Sequence, residues 1–238
     1  FPAFEFLGDL AIAPLNLPVN SDTIVPADWR VTGSRECRSL LPPRPPTAHK
    51  GTFGKVLISA GCVNYPGAAL LAARAAYRAG AGLVTLAVPP VVQTLIAGQI
   101  PEATWVMIPD ENGGVGPDAV PIILQACEKT DALLIGPGWG MDGHTGKFLT
   151  AFFQAKNASA SKSFGFVSNP VAHDKALKAF PKLVIDADGL KLLAALPGWH
   201  ELLPPNTILT PHPGEMSVLT GLSIQEIQEN RIEIARRD

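Results

Sequence analysis

Thr207-Ile208-Leu209-Thr210-Pro211-His212-Pro213-Gly214-Glu215 sets a short apolar run against a proline-bracketed turn that carries a histidine and a carboxylate. Read as a strand over 207–209 followed by a turn, it puts His212 and Glu215 at a carboxyl strand end, where open α/β sheets bind their ligands. Thr-Pro-His-Pro is also compatible with an ordinary turn, because proline presets φ for one. Two upstream clusters favour the ligand-binding reading. Gly136-Pro137-Gly138-Trp139-Gly140 follows the apolar run 132–135, and Asp186-Ala187-Asp188-Gly189-Leu190 follows 183–185. Three strand ends of this kind point to one shared crevice.

Outward from these ends, short apolar runs alternate with alanine-rich or amphipathic stretches from Gly54 onward. That alternation marks β-α units and an α/β fold whose mostly parallel sheet is buried on both faces and flanked by helices. Strands are expected over 55–60, 83–88, 104–108, 132–135, 183–185 and 207–209. Helices are expected over 67–78, 91–97, 120–129, 145–156, 190–196, 215–220 and from Ser223 onward. Residues 157–180 break the rhythm and read as a surface insertion with some helix near 175–179. Residues 1–48 are rich in proline and polar turn residues, and Leu40-Leu41-Pro42-Pro43-Arg44-Pro45-Pro46 has linker composition.

The 238 residues, 47% hydrophobic and 17% charged, describe a globular chain with room for one large core or one core plus an appendage. Nineteen basic against 21 acidic residues leave a net charge of −2, with no basic cluster to track a phosphate backbone. Nucleic acid is therefore not an expected partner, whereas a small molecule is. Cys37, Cys62 and Cys127 lie far apart and form neither a disulfide framework nor a zinc motif, which favours a reducing, cytoplasmic location. The apolar start of the chain carries Glu5 and Asp9 and does not read as a signal peptide. No stretch approaches the ~18 apolar residues of a membrane span, so no membrane is expected. The chain opens on Phe1, and its last apolar stripe, Ile224, Ile227, Ile232 and Ala235, reaches Asp238 without a helix-ending signal; further sequence is expected at both ends.

The chemistry starts at His49-Lys50-Gly51-Thr52-Phe53-Gly54-Lys55, before the first strand. Its glycines and the Lys50 and Lys55 ammonium groups suit an anion, or form a flexible strand entry. After that strand, Gly67-Ala68-Ala69 opens a helix on small residues, which suits a phosphate or amide at the helix start and equally suits close helix-sheet packing. Three glycines in 136–140 let backbone touch a ligand directly. Asp186 and Asp188, two apart, project to one side in extended geometry and suit Mg²⁺ or a substrate hydroxyl; the alternative is that Asp188 caps the following helix. Glu215, in a first helical turn, reads mainly as a cap.

Taken in order, these motifs, together with Gly80-Ala81-Gly82-Leu83-Val84 and Pro101-Glu102, resemble the ATP/ADP-dependent NAD(P)H-hydrate dehydratases from about His49 to Asp238. The resemblance implies a ribokinase-like fold lacking its C-terminal part and the repair of NADH or NADPH damaged by water addition. ADP or ATP, with Mg²⁺, would phosphorylate the added hydroxyl, and loss of phosphate would restore the dihydropyridine. It further implies that Ala68, Gly140 and His212 contact the hydrated dinucleotide and that the chain forms a homo-oligomer; Asp186, Asp188, Lys50 and Lys55, read above from their residue types alone, would stand in support. Residues 1–48 resemble the tail of an epimerase domain found upstream in bifunctional members, with a last strand over 8–14. The family's Gly-Thr-Gly-Asp segment, whose aspartate acts as base, does not occur after Thr210. The 238 residues alone are accordingly expected to turn over slowly or not at all. A small-molecule kinase and a non-catalytic nucleotide-binding module are the alternative readings.

Overall fold

The computed structural model describes residues 32–161 and 180–237. The chain divides into two units, Phe1–Ala48 and His49–Asp238. In the first unit a short helix, α1 (Ser34–Leu40), occupies part of the stretch whose composition reads as linker. The strand expected over 8–14 lies outside the described residues.

The second unit is built on a six-stranded sheet in the order β3-β2-β1-β6-β7-β8. Its strands are β1 (Lys55–Ser59), β2 (Leu83–Val88), β3 (Thr104–Met107), β6 (Ala132–Ile135), β7 (Lys182–Ile185) and β8 (Ile208–Leu209). Every neighbouring pair in it is parallel. A parallel sheet must be covered on both faces, and β1 shows how the sequence arranges this. Leu57 joins a core with α4 (Val120–Cys127), α5 (Gly143–Ser161) and α6 (Asp188–Ala194), while its neighbour Ile58 joins a separate core with α2 (Pro66–Ala79) and α3 (Pro90–Ile96). Leu133, Ile135, Leu183 and Ile185 fall in the first core with Leu57, as strand alternation requires.

The chain runs β1, β2, β3 toward one edge, then returns to place β6 on the other side of β1. This reversal between β1 and β6 creates a crevice beyond their carboxyl ends, the usual ligand position in such sheets. The amino ends of the same strands are sealed by Asp131, whose Oδ2 accepts the Lys55 N–H at 2.8 Å.

Three expectations change. Asn157 to Ser161 continue α5 instead of opening an insertion, and 162–179, including the expected helix near 175–179, lie outside the described residues. The helix expected from Ser223 is two helices, α9 (Ile224–Glu229) and α10 (Arg231–Arg237), parted at Asn230, whose ψ of 34° leaves the helical region. An antiparallel hairpin, β4 (Asp110–Glu111) with β5 (Gly114–Val115), also stands where no element was expected. Among the described residues the unit also holds α7 (Trp199–Leu202) and α8 (Pro213–Thr220), the latter packing against α6 and α9.

Candidate functional site

A cavity of about 900 Å³ opens at the β1/β6 reversal. Its walls are the turn and helix start at 62–68 with Leu71, the hairpin residues Asn112 and Gly114, the bend 138–142, and Asp188 with Lys191. Its volume lies within the range of small-molecule sites, roughly 300–1,000 Å³.

The walls are tied together by backbone. Gly61 donates its N–H to the Pro137 carbonyl at 2.7 Å, joining the ends of β1 and β6. Gly138 then lies directly under α2: a Cβ there would come within 2.5 Å of the Ala68 Cβ and 3.1 Å of the Tyr65 Cβ. With φ at +67° as well, the position admits glycine alone. Across the cleft, Val63 donates its N–H to the Gly113 carbonyl at 2.8 Å, drawing in the hairpin tip.

Ala68 and Gly140, expected to share a ligand, do line this one cavity. Asp188 joins them, but by a route different from either expectation. The extended run stops at Ile185, and Ala187, at φ 53° and ψ −121°, turns the chain so that the two carboxylates part. Asp188 is the first residue of α6, not its cap. Its Oδ2 accepts the Gly140 N–H at 3.0 Å and its Oδ1 receives Lys191 Nζ at 3.1 Å. Asp186 instead accepts the Thr210 hydroxyl at 2.7 Å, which links the ends of β7 and β8. The three strand-end clusters thus form a hydrogen-bonded series, but His212 is not among the residues lining the cavity. Its Nδ1 accepts the N–H groups of Gly214 and Glu215, at 3.0 and 3.3 Å, so it caps α8 and carries its ring proton on Nε2. Glu215 completes the box by accepting the His212 N–H at 3.0 Å.

Lys50 and Lys55 are at the opposite, amino end of β1. Lys50 begins a short 3-10 turn before β1 and Lys55 is the first residue of that strand, whereas the cavity lies beyond its last. His49 caps that turn through Nδ1, accepting the Gly51 N–H at 3.1 Å. Among the described residues no group of three or more His, Cys, Asp and Glu side chains is placed to hold a metal ion.

Three helix starts face the cavity, and they differ: α6 places its own first residue, Asp188, there. Asp142 Oδ1 caps α5 by accepting the N–H groups of His144 and Thr145, at 3.1 and 3.0 Å. No side chain caps α2, and a Cβ on Gly67 would meet nothing within 4 Å. The positive end of a 14-residue helix therefore opens into the cavity, which suits a ligand anion.

Cys62, Asn112, Asp142 and Lys191 line the cavity but escaped the sequence reading. Asn112-Gly113 carried a usable signal: with φ of 54° and 76° they form the central pair of a hairpin turn, and Asn-Gly is a strong mark of one. The flanking strands of two residues each, Asp110–Glu111 and Gly114–Val115, have no apolar alternation to announce them.

Comparison with known proteins places these features in a wider set. Residues 56–238 match the family model described as NAD(P)H-hydrate dehydratase. The Bifunctional NAD(P)H-hydrate repair enzyme Nnr of Moorella thermoacetica is 34% identical over 99% of this chain, which spans only 40% of that relative's length. The ADP-dependent (S)-NAD(P)H-hydrate dehydratase of Staphylococcus aureus is 31% identical over 78% of this chain and 56% of its own. Among solved structures, the ADP/ATP-dependent NAD(P)H-hydrate dehydratase of Bacillus subtilis, co-crystallized with ATP/Mg²⁺, matches with a TM-score of 0.56 at 30% identity, covering 84% of this chain and 59% of that one. A ribokinase-like superfamily protein of Enterococcus faecalis, 23% identical, shares the fold with a TM-score of 0.58 over 82% of this chain and 57% of its own.

Proposed function

The chain belongs to the NAD(P)H-hydrate dehydratase family, and from that membership we propose that it serves the nucleotide-dependent dehydration of hydrated NADH or NADPH, restoring the reduced cofactor. One observation carries the reading to this chain's own residues: the uncapped start of α2 opens into a cavity of about 900 Å³ beside Ala68 and Gly140. The positive end of that helix suits a phosphate of the hydrated dinucleotide, and Gly140, where a Cβ would meet only Cys62 Sγ at 4.0 Å, lets the ligand approach without side-chain interference. Asp188 holds the Gly140 amide in place from behind.

ADP or ATP with Mg²⁺ is the proposed co-substrate. When bound, it supplies the phosphoryl group that turns the added hydroxyl into a leaving group. Mg²⁺ commonly takes one or two carboxylates together with ligand phosphates. Asp186, already bonded to Thr210, is the residue that would hold it, and no fuller metal-binding cluster stands among the described residues. His212 is proposed to reach the ligand through Nε2, which stands 3.2 Å from Glu215 Oε1 and would have to be shared with that carboxylate, since Nδ1 is occupied by the α8 cap. Residues 1–48 are proposed as an epimerase-domain tail and proline-rich linker; the match to the bifunctional relative spans 99% of the chain and so includes most of them. A cytoplasmic location and a homo-oligomer complete the proposal. Among the described residues no helix is long and apolar enough to cross a membrane.

The 238 residues contain no Gly-x-Gly-Asp segment after Thr210, so ligand binding is the property expected of them and turnover is expected to be slow. Incubation with NADPH hydrate and ADP or ATP plus Mg²⁺, with calorimetric binding and product chromatography, tests both. Accumulation of a phosphorylated small molecule would mark a kinase instead, and failure to bind NADPH hydrate would remove the proposal.

A further inference from the structure

Only two tyrosines occur in the chain, and they are used in opposite ways. Tyr77 is a structural residue: its hydroxyl donates to the Glu102 carbonyl at 2.6 Å and accepts the Val84 N–H at 3.4 Å. Tyr65 is 58% exposed and lines the cavity. Of the large apolar side chains exposed among the described residues, Tyr65 is the one aromatic. Three others, Val63, Leu71 and Met141, line the same cavity, giving it an apolar rim. Exposed apolar surface gathered around a cleft is the mark of a binding surface, unlike single exposed residues scattered elsewhere.

The backbone beneath the ring is held firmly. Tyr65 donates its N–H to the Cys62 carbonyl at 3.0 Å, and its own carbonyl receives the Ala68 N–H at 3.2 Å. Gly138 lies close under its Cβ. The ring thus stands on a fixed base one residue before an uncapped helix start. A flat apolar face beside the positive end of a helix matches a nucleotide, which carries a flat nitrogen heterocycle and a phosphate.

We propose that Tyr65 is the stacking platform of the cavity, receiving one nitrogen heterocycle of the dinucleotide while the start of α2 takes an adjoining phosphate. This rests on the functional reading above. Adenine is flat throughout, whereas the hydrated nicotinamide ring, saturated where water has added, is flat only over its remaining double bond and amide; separate half-molecules distinguish the two. Stacking depends on a ring and not on the hydroxyl, so Tyr65→Phe retains it and Tyr65→Leu, apolar but not flat, loses it.

The test measures, by calorimetry on the full chain, the affinity of the unsubstituted protein, Tyr65→Phe and Tyr65→Leu for NADPH hydrate, AMP and reduced nicotinamide mononucleotide. Thermal unfolding and sedimentation are followed in parallel. Tyr65→Phe is expected to bind within about twofold of the unsubstituted protein. Tyr65→Leu is expected to lose about tenfold for NADPH hydrate and for one half-molecule, leaving the other unchanged. Its unfolding midpoint should not move, because the ring is exposed. Equal affinities in Tyr65→Leu and the unsubstituted chain would overturn the stacking role alone. So would a smaller sedimenting species with unaltered affinity, which would make the rim a contact between copies. If the unsubstituted chain bound no NADPH hydrate, the functional reading would fall and this inference with it.

Discussion

Gly136 and Gly189 meet back to back at the ends of β6 and β7: a Cβ on Gly136 would lie 2.8 Å from the Gly189 Cα and 2.1 Å from the Asp186 carbonyl oxygen. The two strand-end turns can approach this closely only because neither residue has a side chain. Both turns feed the cavity, since Gly140 follows one and Asp188 the other.

Gly136→Ala is therefore expected to destabilise strongly. The new methyl group meets backbone, which cannot swing aside, and the position also has φ at +114°. A cost of about 3 kcal/mol or more, a fall of roughly 6–12 °C in the unfolding midpoint, is expected from differential scanning calorimetry. Gly98→Ala is the control, since a Cβ there meets nothing within 4 Å; an equal fall in both would show that the contact is not the cause.

Asp188 supports the Gly140 loop from a side chain only 16% exposed. Asp188→Ala leaves the Gly140 N–H without its acceptor, at a cost of roughly 1–3 kcal/mol. Asp188→Asn keeps an oxygen for that N–H and loses mainly the Lys191 pair, a half-exposed contact of small worth. Ligand affinity should fall in the alanine variant and largely survive in the asparagine one. Calorimetric titrations showing identical losses in both would point to the charge, not the bridge.

His212 combines a cap with a proposed ligand contact, and two substitutions separate them. Asparagine is a good cap, so His212→Asn should retain the unfolding midpoint, whereas His212→Ala should lose about 1 kcal/mol. Both should weaken NADPH-hydrate binding if Nε2 reaches the ligand. Wild-type affinity in His212→Asn would confine the residue to capping.

The cysteines should separate by burial. Burial pushes the Cys127 thiol up from its ordinary 9.0 to about 12, so it stays protonated and shielded in the folded chain. Cys37 is exposed and should react first with a thiol reagent. Because the folded value of Cys127 is the higher one, the unfolded chain releases that proton first. The stability contributed by this group is thus complete below pH 9 and declines as pH rises toward 12. Mass spectrometry after brief native labelling at pH 8 should find Cys127 unmodified, and rapid labelling there would contradict its burial.

Much of the fold could be read from local pattern. β2 and β6 fall on the expected 83–88 and 132–135, because a parallel strand buried on both faces is a nearly continuous apolar run, which Thr85 alone interrupts in β2. Helix limits were less legible. α6 begins at Asp188, where the positive φ of Ala187 sets the turn, and an alanine gives no warning of a conformation usually left to glycine. The hairpin is marked in the sequence only by Asn112-Gly113 at its turn, because two-residue strands are too short to show an apolar alternation.

What the sequence determined by itself was the α/β architecture, the strand-end glycines and the family, since periodicity and short motifs are local properties. Tertiary structure alone decided which strand ends become neighbours. The reversal between β1 and β6 brought Ala68 and Gly140 to one cavity and left Lys50 and Lys55 at the opposite, amino end of β1, while the pairing of β6, β7 and β8 aimed Asp188 at Gly140 and Asp186 at Thr210. The physical reason is that a side chain's partner depends on strand order and on single backbone torsions, and residues 48 apart in sequence, as Gly140 and Asp188 are, share nothing that a local pattern can record.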